Sequence, residues 1–409
     1  MTQRRAAWTA VPLALFTIGA LALSGCSGSN AAAPGDDADS VLLERPAGST
    51  NDKKVYDDVL AACEETTGVT IEMQDVPYDG YLAKVLQQVS SKTMPDVLML
   101  DNGDLPQIAS SGALAPLSDF DIAVDGYADG VIEASSYEGD LYAVQPVANT
   151  IALFVNTDML AAAGVDVPTT WDELKTAAAA LSGDGKYGMA FSATATEEGT
   201  FQFLPFFWSN GGDETDIATE AGAEALQLWV DLVDSGSASE SVLTWTQADV
   251  NDQFVAGNTA MMVNGPWQFP SLDESGVPYE VVSIPAPQDG DEIISPLGGE
   301  VWTIPQTGNE AKMTAAASVV ECLGSDESQM ALASGRDLVP TNTDLVDQFI
   351  AENPKMAGFA EQVPGLRART AQLGADYTAA SEGIYTAIQT ALTGGADPLT
   401  ALQQSAPNK

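Results

Sequence analysis

The sequence predicts an α/β fold, because helical and strand patterns alternate along its N-terminal part. Val55, Val59 and Cys63 lie at helical spacing, and Ile71 and Met73 then alternate with polar residues as in a strand. Parallel sheets arise from such alternation, since a helix returns the chain to the edge where the next strand begins.

A second helix and strand follow in the same order. An apolar stripe runs from Leu82 to Val89 and is stopped by Pro95, after which Val97–Leu100 is a continuous apolar run. Such a run is typical of a strand buried on both faces of a parallel sheet. Two further strands are predicted at Gly188–Phe191 and Thr259–Val263.

The N-terminus has the pattern of a secretory signal peptide. Arg4 and Arg5 precede a mostly apolar run over 6–23, and two small residues come before Cys26. A transmembrane anchor is the alternative, but a run of about 18 residues with polar interruptions is marginal for spanning a bilayer. The Leu-Ser-Gly-Cys sequence resembles a lipobox, which implies a signal peptide at 1–25 and a lipid on Cys26 that holds the chain at the outer membrane face. A Ser, Ala, Gly and Asp-rich tether is predicted at 26–40.

Composition excludes several classes of partner and chemistry. Removing residues 1–25 leaves 13 basic and 58 acidic residues, a formal charge of −45, which repels nucleic acid and anionic lipid. Histidine is absent, so Ser/His/Asp and Cys/His triads and histidine zinc sites are excluded. No cofactor or metal ion is predicted.

Two cysteines remain after Cys26. In an oxidising compartment a pair of thiols typically forms a structural disulfide, so we predict a bond between Cys63 and Cys322.

Polar and aromatic residues follow the predicted strands directly. Ligands of α/β sheets gather at the carboxyl ends of strands, where Asp101, Asn102, Ser192, Thr194 and Trp267 are expected. A role in the turn before Gly103 accounts for Asp101 and Asn102 equally well. Trp267 could instead be a packed core residue.

Five segments resemble the family 1 extracellular solute-binding proteins of ABC importers, to which maltose-binding protein belongs. They are residues 94–117, 153–174, 207–213, 254–267 and 392–402, and their order is more specific than any one motif. The resemblance spans about 50–405.

The resemblance implies a two-lobed, periplasmic-binding-protein-like fold of the class II type, with a ligand cleft between hinged lobes. The crossings are expected near 143–149, near 283–295 and loosely within 344–367. The implied first lobe comprises 41–145 and 293–345, and the second comprises 146–292 and 346–409.

The first strand departs from the family. Val41–Leu43 is brief and is followed by Arg45 and Pro46, which predicts a short strand or an irregular sheet edge. No ligand contact is assigned there.

The resemblance also implies ligand-binding residues, since sugars stack on aromatic rings and bond to carboxylates, amides and guanidinium groups. Trp267 is the principal candidate, and of the aromatic run beginning at Phe201 at most two members are expected to face the ligand. Alternatively, Glu300 is a carboxylate of a surface loop. Arg367 or Arg369 could equally neutralise a neighbouring acid. The complete predicted set is Asp101, Asn102, Phe201, Trp208, Trp267, Glu300, Trp302, Arg369 and Tyr377.

The resulting functional prediction is a monomeric, lipid-anchored receptor that binds a mono- or oligosaccharide outside the cell and delivers it to the permease subunits of an ABC transporter. It contacts the membrane only through its lipid and performs no chemistry. Three alternatives stay open: a secreted carbohydrate-active enzyme using two carboxylates, a peptide or amino-acid receptor, and a sensor or adhesin of the same fold.

Overall fold

The computed structural model describes residues 39–47, 50–77, 80–360 and 362–407. The predicted signal peptide, Cys26 and nearly all of the predicted tether lie outside these residues. Within them, every helix is too short or too polar to cross a bilayer.

Strands are numbered along the described chain. They are β1 Ser40–Pro46, β2 Thr70–Val76, β3 Val97–Asp101, β4 Ser136–Tyr137, β5 Asp140–Leu141, β6 Ala143–Val144, β7 Val147–Ala148, β8 Ala152–Asn156, β9 Tyr187–Ala190, β10 Thr259–Asn264, β11 Tyr279–Val282, β12 Pro296–Leu297, β13 Glu300–Thr303, β14 Val339–Pro340 and β15 Arg367–Ala368.

Helices are numbered in the same way. They are α1 Thr50–Thr67, α2 Tyr81–Ser91, α3 Leu105–Ser110, α4 Asp129–Ala134, α5 Thr157–Ala163, α6 Trp171–Ala180, α7 Glu197–Ser209, α8 Glu220–Asp234, α9 Gln247–Val255, α10 Phe269–Ser275, α11 Glu310–Leu323, α12 Asp326–Arg336, α13 Val346–Glu352, α14 Ala357–Ala360, α15 Tyr377–Leu392 and α16 Pro398–Ser405.

Two sheets form the centres of two lobes, which confirms the predicted fold class. The first has the order β2-β1-β3-β13-β6 and the second the order β11-β8-β10-β9. Strand β1 pairs in parallel with β2 and β3, and β10 pairs in parallel with β9. Strands β13 and β8 run antiparallel to their neighbours, and each is the first strand of its sheet after the chain crosses from the other lobe.

Strand β1 corrects the prediction of a short strand or an irregular edge. It spans seven residues and lies in the sheet interior, between β2 and β3. The strand tolerates Arg45 because the buried guanidinium donates to Asp75 (Nε to Oδ1, 2.7 Å) and Asp57 (Nη2 to Oδ1, 3.1 Å) and lies over the ring of Tyr56. Because the guanidinium is buried together with carboxylate partners, an arginine can occupy a position where an apolar residue is expected.

Short two-stranded ladders join the sheets where the chain crosses between them. Strand β14 pairs with β7, and β15 pairs in parallel with β12. The chain passes from the first sheet to the second between β6 and β8 and returns between β11 and β13, in agreement with two of the expected crossings. The lobe boundaries stay a prediction.

Apolar packing continues from the first lobe to one face of the second sheet. The Phe359 ring lies 6.2 Å from that of Phe154 on β8 and 5.9 Å from that of Phe269 on α10. These residues share one core with the first-lobe strands, whereas the other face of the second sheet has a separate core. The segment around α13 and α14 therefore supports the junction of the lobes.

The predicted disulfide is present in the structure. It joins Cys63 of α1 to Cys322 of α11, with 5.8 Å between the Cα atoms. The bond ties α1, the first helix of the described residues, to the helix that follows the return crossing.

Candidate functional site

The carboxyl end of β3 lies where segments of the two lobes meet, a region that we call the cleft. Asp101 Oδ1 accepts a hydrogen bond from the Gly103 amide at 2.9 Å, which is the turn contact expected of an aspartate at this position. The same oxygen accepts one from Arg369 Nη2 at 2.6 Å. Asp101 therefore shapes the turn and also binds a side chain in the cleft.

Arg369 connects the two lobes. Its Nη1 lies 2.5 Å from Glu197 Oε1 on α7, while Nη2 reaches Asp101 of the first lobe. The side chain is only 3% exposed, and its guanidinium carbon lies 5.1 Å from the centre of the Phe201 ring. Burial alone lowers the pKa of a guanidinium, but the charges of Asp101 and Glu197 outweigh it and raise the pKa of Arg369 well above its usual value.

Glu197 is a residue that the sequence analysis did not select. Its carboxylate accepts from Arg369, from the Tyr377 hydroxyl at 2.8 Å and from the Ser381 hydroxyl. Burial and the charge of Glu197 raise the pKa of Tyr377 well above its usual value. Glu197 begins the helix that follows β9, seven residues beyond the end of the strand, so a rule that selects residues directly after a strand does not reach it.

Asp104 adds a third carboxyl to this cluster. Burial and the neighbouring charge of Asp101 raise its pKa to about 8, while Arg369 opposes the change. Asp101 and Glu197 therefore pair with one guanidinium, and the charge of Asp104 interacts with all three groups.

Asn102 has a structural role rather than the predicted open ligand contact. It is 2% exposed, and its Nδ2 donates to Gln145 Oε1 and to the Leu297 carbonyl, both at 3.3 Å. Gln145 Nε2 donates in turn to the Gly298 carbonyl at 3.1 Å. Asn102 thus holds the end of β3 to two crossing segments.

Trp302 is wrong as a sugar platform. Its side chain is fully buried in the first-lobe core, where its ring meets that of Tyr56 edge-on at 5.7 Å. It occupies β13, an interior strand of the first sheet, so neither face of the indole is open to a ligand.

Trp208 is wrong for a similar reason. It is 2% exposed, its Nε1 donates to Glu214 Oε2 at 2.8 Å, and the Arg367 guanidinium covers its ring at 4.5 Å. Arg367 also pairs with Glu214, at 2.7 Å between Nη2 and Oε1. Both arginines considered therefore neutralise neighbouring acids: Arg367 pairs with Glu214 within the second lobe, and Arg369 pairs with Asp101 and Glu197 across the lobes.

Glu300 is also withdrawn as a hydroxyl acceptor. Both of its oxygens are held by Arg336 at the end of α12, at 2.9 Å from Nη2 to Oε1 and 3.2 Å from Nη1 to Oε2. Arg336 further bonds Asp52 and the Tyr56 hydroxyl. This fork–fork pair fixes β13 to the helices behind it and is unavailable to a ligand.

Trp267 remains partly exposed at the second-lobe strand end. It lies in a single-turn 3₁₀ helix, Pro266–Gln268, and a Cβ on Gly265 would approach its ring to 2.1 Å. Glycine at this position therefore lets the indole fold over the backbone. Asn264 Nδ2 donates to the Gln247 carbonyl at 2.9 Å, which fixes the strand end beneath Trp267.

Two surface cavities, of about 450 and 320 Å³, lie elsewhere on the second lobe. Their linings share Val167 and Pro168 and include none of the predicted ligand-binding residues. We therefore locate the candidate site by its converging side chains. Those from the predicted set are Asp101, Phe201, Arg369 and Tyr377, with Trp267 at the neighbouring strand end.

The chemistry available in the cleft is recognition by hydrogen bonds, charge and ring stacking. Among the described residues, no three acidic or cysteine side chains are grouped as a metal site. Two α/β lobes joined by short crossings, with polar and aromatic groups converging from both, define a hinged ligand-binding receptor.

The chain belongs to the bacterial extracellular solute-binding protein family, whose model matches residues 58–358. It is similar to a maltooligosaccharide ABC transporter solute-binding lipoprotein of Streptococcus pneumoniae, at 25% identity over 81% of this chain and 80% of that protein. A receptor of Streptomyces glaucescens, solved unliganded and with acarbose, is 27% identical over 90% of this chain and 96% of that one, with a TM-score of 0.77. A maltose-bound protein of T. maritima shares the fold, with a TM-score of 0.79, 24% identity and coverage of 90% and 98%.

Proposed function

We propose that this protein is the substrate-binding receptor of a carbohydrate ABC importer, and that it binds a mono- or oligosaccharide reversibly by closure of its lobes. The observation that carries the proposal is the convergence of Asp101, Glu197, Phe201 and Arg369 from both lobes on one cleft. Carboxylates and a guanidinium suit hydroxyl groups, and an aromatic ring suits the C–H face of a sugar. The relatives that bind maltooligosaccharide or acarbose support the same ligand class.

The proposal includes no catalysis. The cleft carboxylates Asp101 and Glu197 are already engaged by Arg369, and Glu197 also accepts two hydroxyl groups. A glycosidase acid and base instead need free positions on either side of the scissile bond. We also propose that Cys26 carries the lipid anchor, that the protein acts as a monomer at the outer membrane face, and that its partner is the permease of the importer.

A thermal-shift screen of residues 27–409 against saccharides, amino acids and peptides tests the ligand class. Ligand at about 100 times its dissociation constant stabilises a fold by about 2.7 kcal/mol, so a saccharide should raise the melting temperature. Peptides that raise it while all saccharides leave it unchanged would overturn the sugar assignment.

A further inference from the structure

The strand ends of the second lobe hold a carboxylate that the site described above does not use. Glu198 is the second residue of α7 and is half-buried. Its Oε1 accepts a hydrogen bond from the Ser192 hydroxyl at 3.0 Å and another from the backbone amide of Gln247, the first residue of α9. Within the part of the chain that the structure describes, Oε2 accepts no hydrogen bond and stays open to solvent. One oxygen of Glu198 is therefore fixed, and the other is available to a ligand.

The Trp267 ring lies at the same edge of the second sheet. Strands β9 and β10 run parallel, so their carboxyl ends share one edge, and Ser192, two residues after β9, holds the Glu198 carboxylate there. Gln247 links this carboxylate to the end of β10. Its amide donates to Glu198, and its carbonyl accepts from Nε2 of Gln268, the neighbour of Trp267, at 3.2 Å. Glu198 and the indole are thus joined through a single residue.

One side of the indole is available at this edge. The six-membered ring of Trp267 lies so close over Gly265 that a Cβ on that glycine would approach it to 2.1 Å, so this side is covered by the backbone. The side chain nevertheless stays partly exposed. The side turned away from Gly265 can receive the C–H face of a sugar ring.

Glu198 differs from the other carboxylates of the cleft in having no cationic partner. Asp101 and Glu197 are both held by Arg369, whereas no lysine or arginine among the described residues pairs with Glu198. A half-buried carboxylate oxygen without a partner gains a charge-assisted hydrogen bond when a hydroxyl group donates to it. The free oxygen of Glu198 therefore complements a stacked sugar, which carries hydroxyl groups around the edge of its ring.

We propose that Glu198 binds the ligand through Oε2, which accepts a hydrogen bond from a hydroxyl group of the sugar ring stacked on Trp267. Ser192 and Gln247 are its positioning residues, because their bonds to Oε1 fix the carboxylate. This inference rests on the proposed function and adds a requirement to it, namely a free hydroxyl group on the stacked ring. A saccharide that is deoxygenated or O-methylated at that hydroxyl should bind weakly.

A purely structural role is the alternative for Glu198, since Oε1 joins the loop after β9 to the start of α9. Glu198→Gln separates the two roles. Its amide oxygen can take the place of Oε1, where a hydroxyl and a backbone amide both donate, and this puts the NH₂ group in the place of Oε2. The substitution therefore keeps the structural contacts and replaces the charged acceptor by a neutral donor.

Isothermal titration calorimetry on residues 27–409 tests the proposal with maltotriose, cellotriose and xylotriose, and with the monodeoxy analogues of whichever of them binds. Glu198→Gln should bind the parent saccharide about tenfold more weakly than wild type does, as expected when a hydrogen bond to a charged group is lost. For one analogue, the one without the bonded hydroxyl, wild type and variant should differ by less than about twofold, because the interaction is absent from both.

A matched variant controls for the loss of a negative charge. Asp234→Asn removes an exposed acid at the end of α8 and should bind the parent saccharide and every analogue as wild type does. Melting curves verify that each variant is folded.

The outcomes separate this inference from the proposed function. An equal loss of affinity of Glu198→Gln for the parent saccharide and for every analogue would assign Glu198 a structural role and overturn the inference. Unchanged affinity for the parent would overturn it as well, and both results leave the carbohydrate receptor intact. Failure of wild type to bind any of the saccharides would overturn the proposed function together with this inference.

Discussion

At the scale of single residues, the position of Arg369 near the ligand site was predictable from the sequence, but its partners were not. Its position was predicted from the family resemblance, because aligned motifs specify which segments border the cleft. Its partners Asp101 and Glu197 lie 268 and 172 positions away in the chain, and no local pattern encodes such distances. Burial is equally invisible in the sequence, which is why Trp208 and Trp302 were assigned to the site although both are packed in cores.

Replacement of Trp267 by Ala should weaken saccharide binding by about tenfold and leave the melting temperature nearly unchanged, because the indole is partly exposed and its stacking on a sugar is lost. Trp302→Ala is the matched control. It removes a fully buried ring at a cost of about 3–5 kcal/mol, so it should lower the melting temperature strongly. Unchanged affinity in the Trp267 variant would exclude that residue from the site.

The raised pKa of Asp104 predicts a pH dependence of stability. Its folded value of about 8 exceeds the ordinary value of 3.8, so between these values the folded state holds the proton more tightly than the unfolded state does. This contribution to stability is full below about pH 4 and is lost as the pH rises through 8. Asp104→Asn should therefore flatten the dependence of melting temperature on pH between 4 and 8. Asp234→Asn should keep the wild-type slope, and equal slopes in all three proteins would contradict the assignment.

At the scale of elements, helices and strands of the N-terminal part were predictable because their apolar spacing is regular. Strand β3 was predicted at Val97–Leu100 and extends through Asp101. Strand β1 was misjudged because Arg45 interrupts its apolar pattern, and only the tertiary structure supplies Asp57, Asp75 and Tyr56 around that charge. The local apolar pattern therefore does not predict a strand correctly where a long-range ion pair takes the place of an apolar contact.

The link between α1 and α11 predicts sensitivity to reduction. Because the disulfide closes a loop across 259 residues, its reduction should destabilise the fold by about 2–5 kcal/mol. Melting curves of residues 27–409 with and without reductant measure the effect. Paired Cys63→Ala and Cys322→Ala replacements should lower the melting temperature in the absence of reductant and remove its effect. Labelling of both cysteines by a thiol reagent in native, unreduced protein would contradict the bond.

At the scale of the whole molecule, the two lobes and their crossings followed from the resemblance, whereas the contact between the lobes did not. That contact depends on Arg369 joining Asp101 of the first lobe to Glu197 of the second. Both ion pairs join residues far apart in the chain, so they exist only after the lobes have assembled.

Removal of the Glu197 charge should shift the ligand-free protein toward an open form. Glu197→Gln loses the charge that pairs with Arg369, and with it part of the attraction between the lobes. Small-angle X-ray scattering should then give a larger radius of gyration for ligand-free Glu197→Gln than for wild type, and Asp234→Asn should match wild type. An identical radius in all three would show that this ion pair does not hold the lobes together.

The central claim is reversible capture of a saccharide, and equilibrium dialysis with recovery of the ligand tests it most directly. Residues 27–409 should retain about one saccharide molecule per protein at saturation, and should release it chemically unchanged when the protein is unfolded. Conversion of the sugar during incubation would assign the protein to the enzymes, and absence of any retained saccharide would remove the carbohydrate receptor altogether.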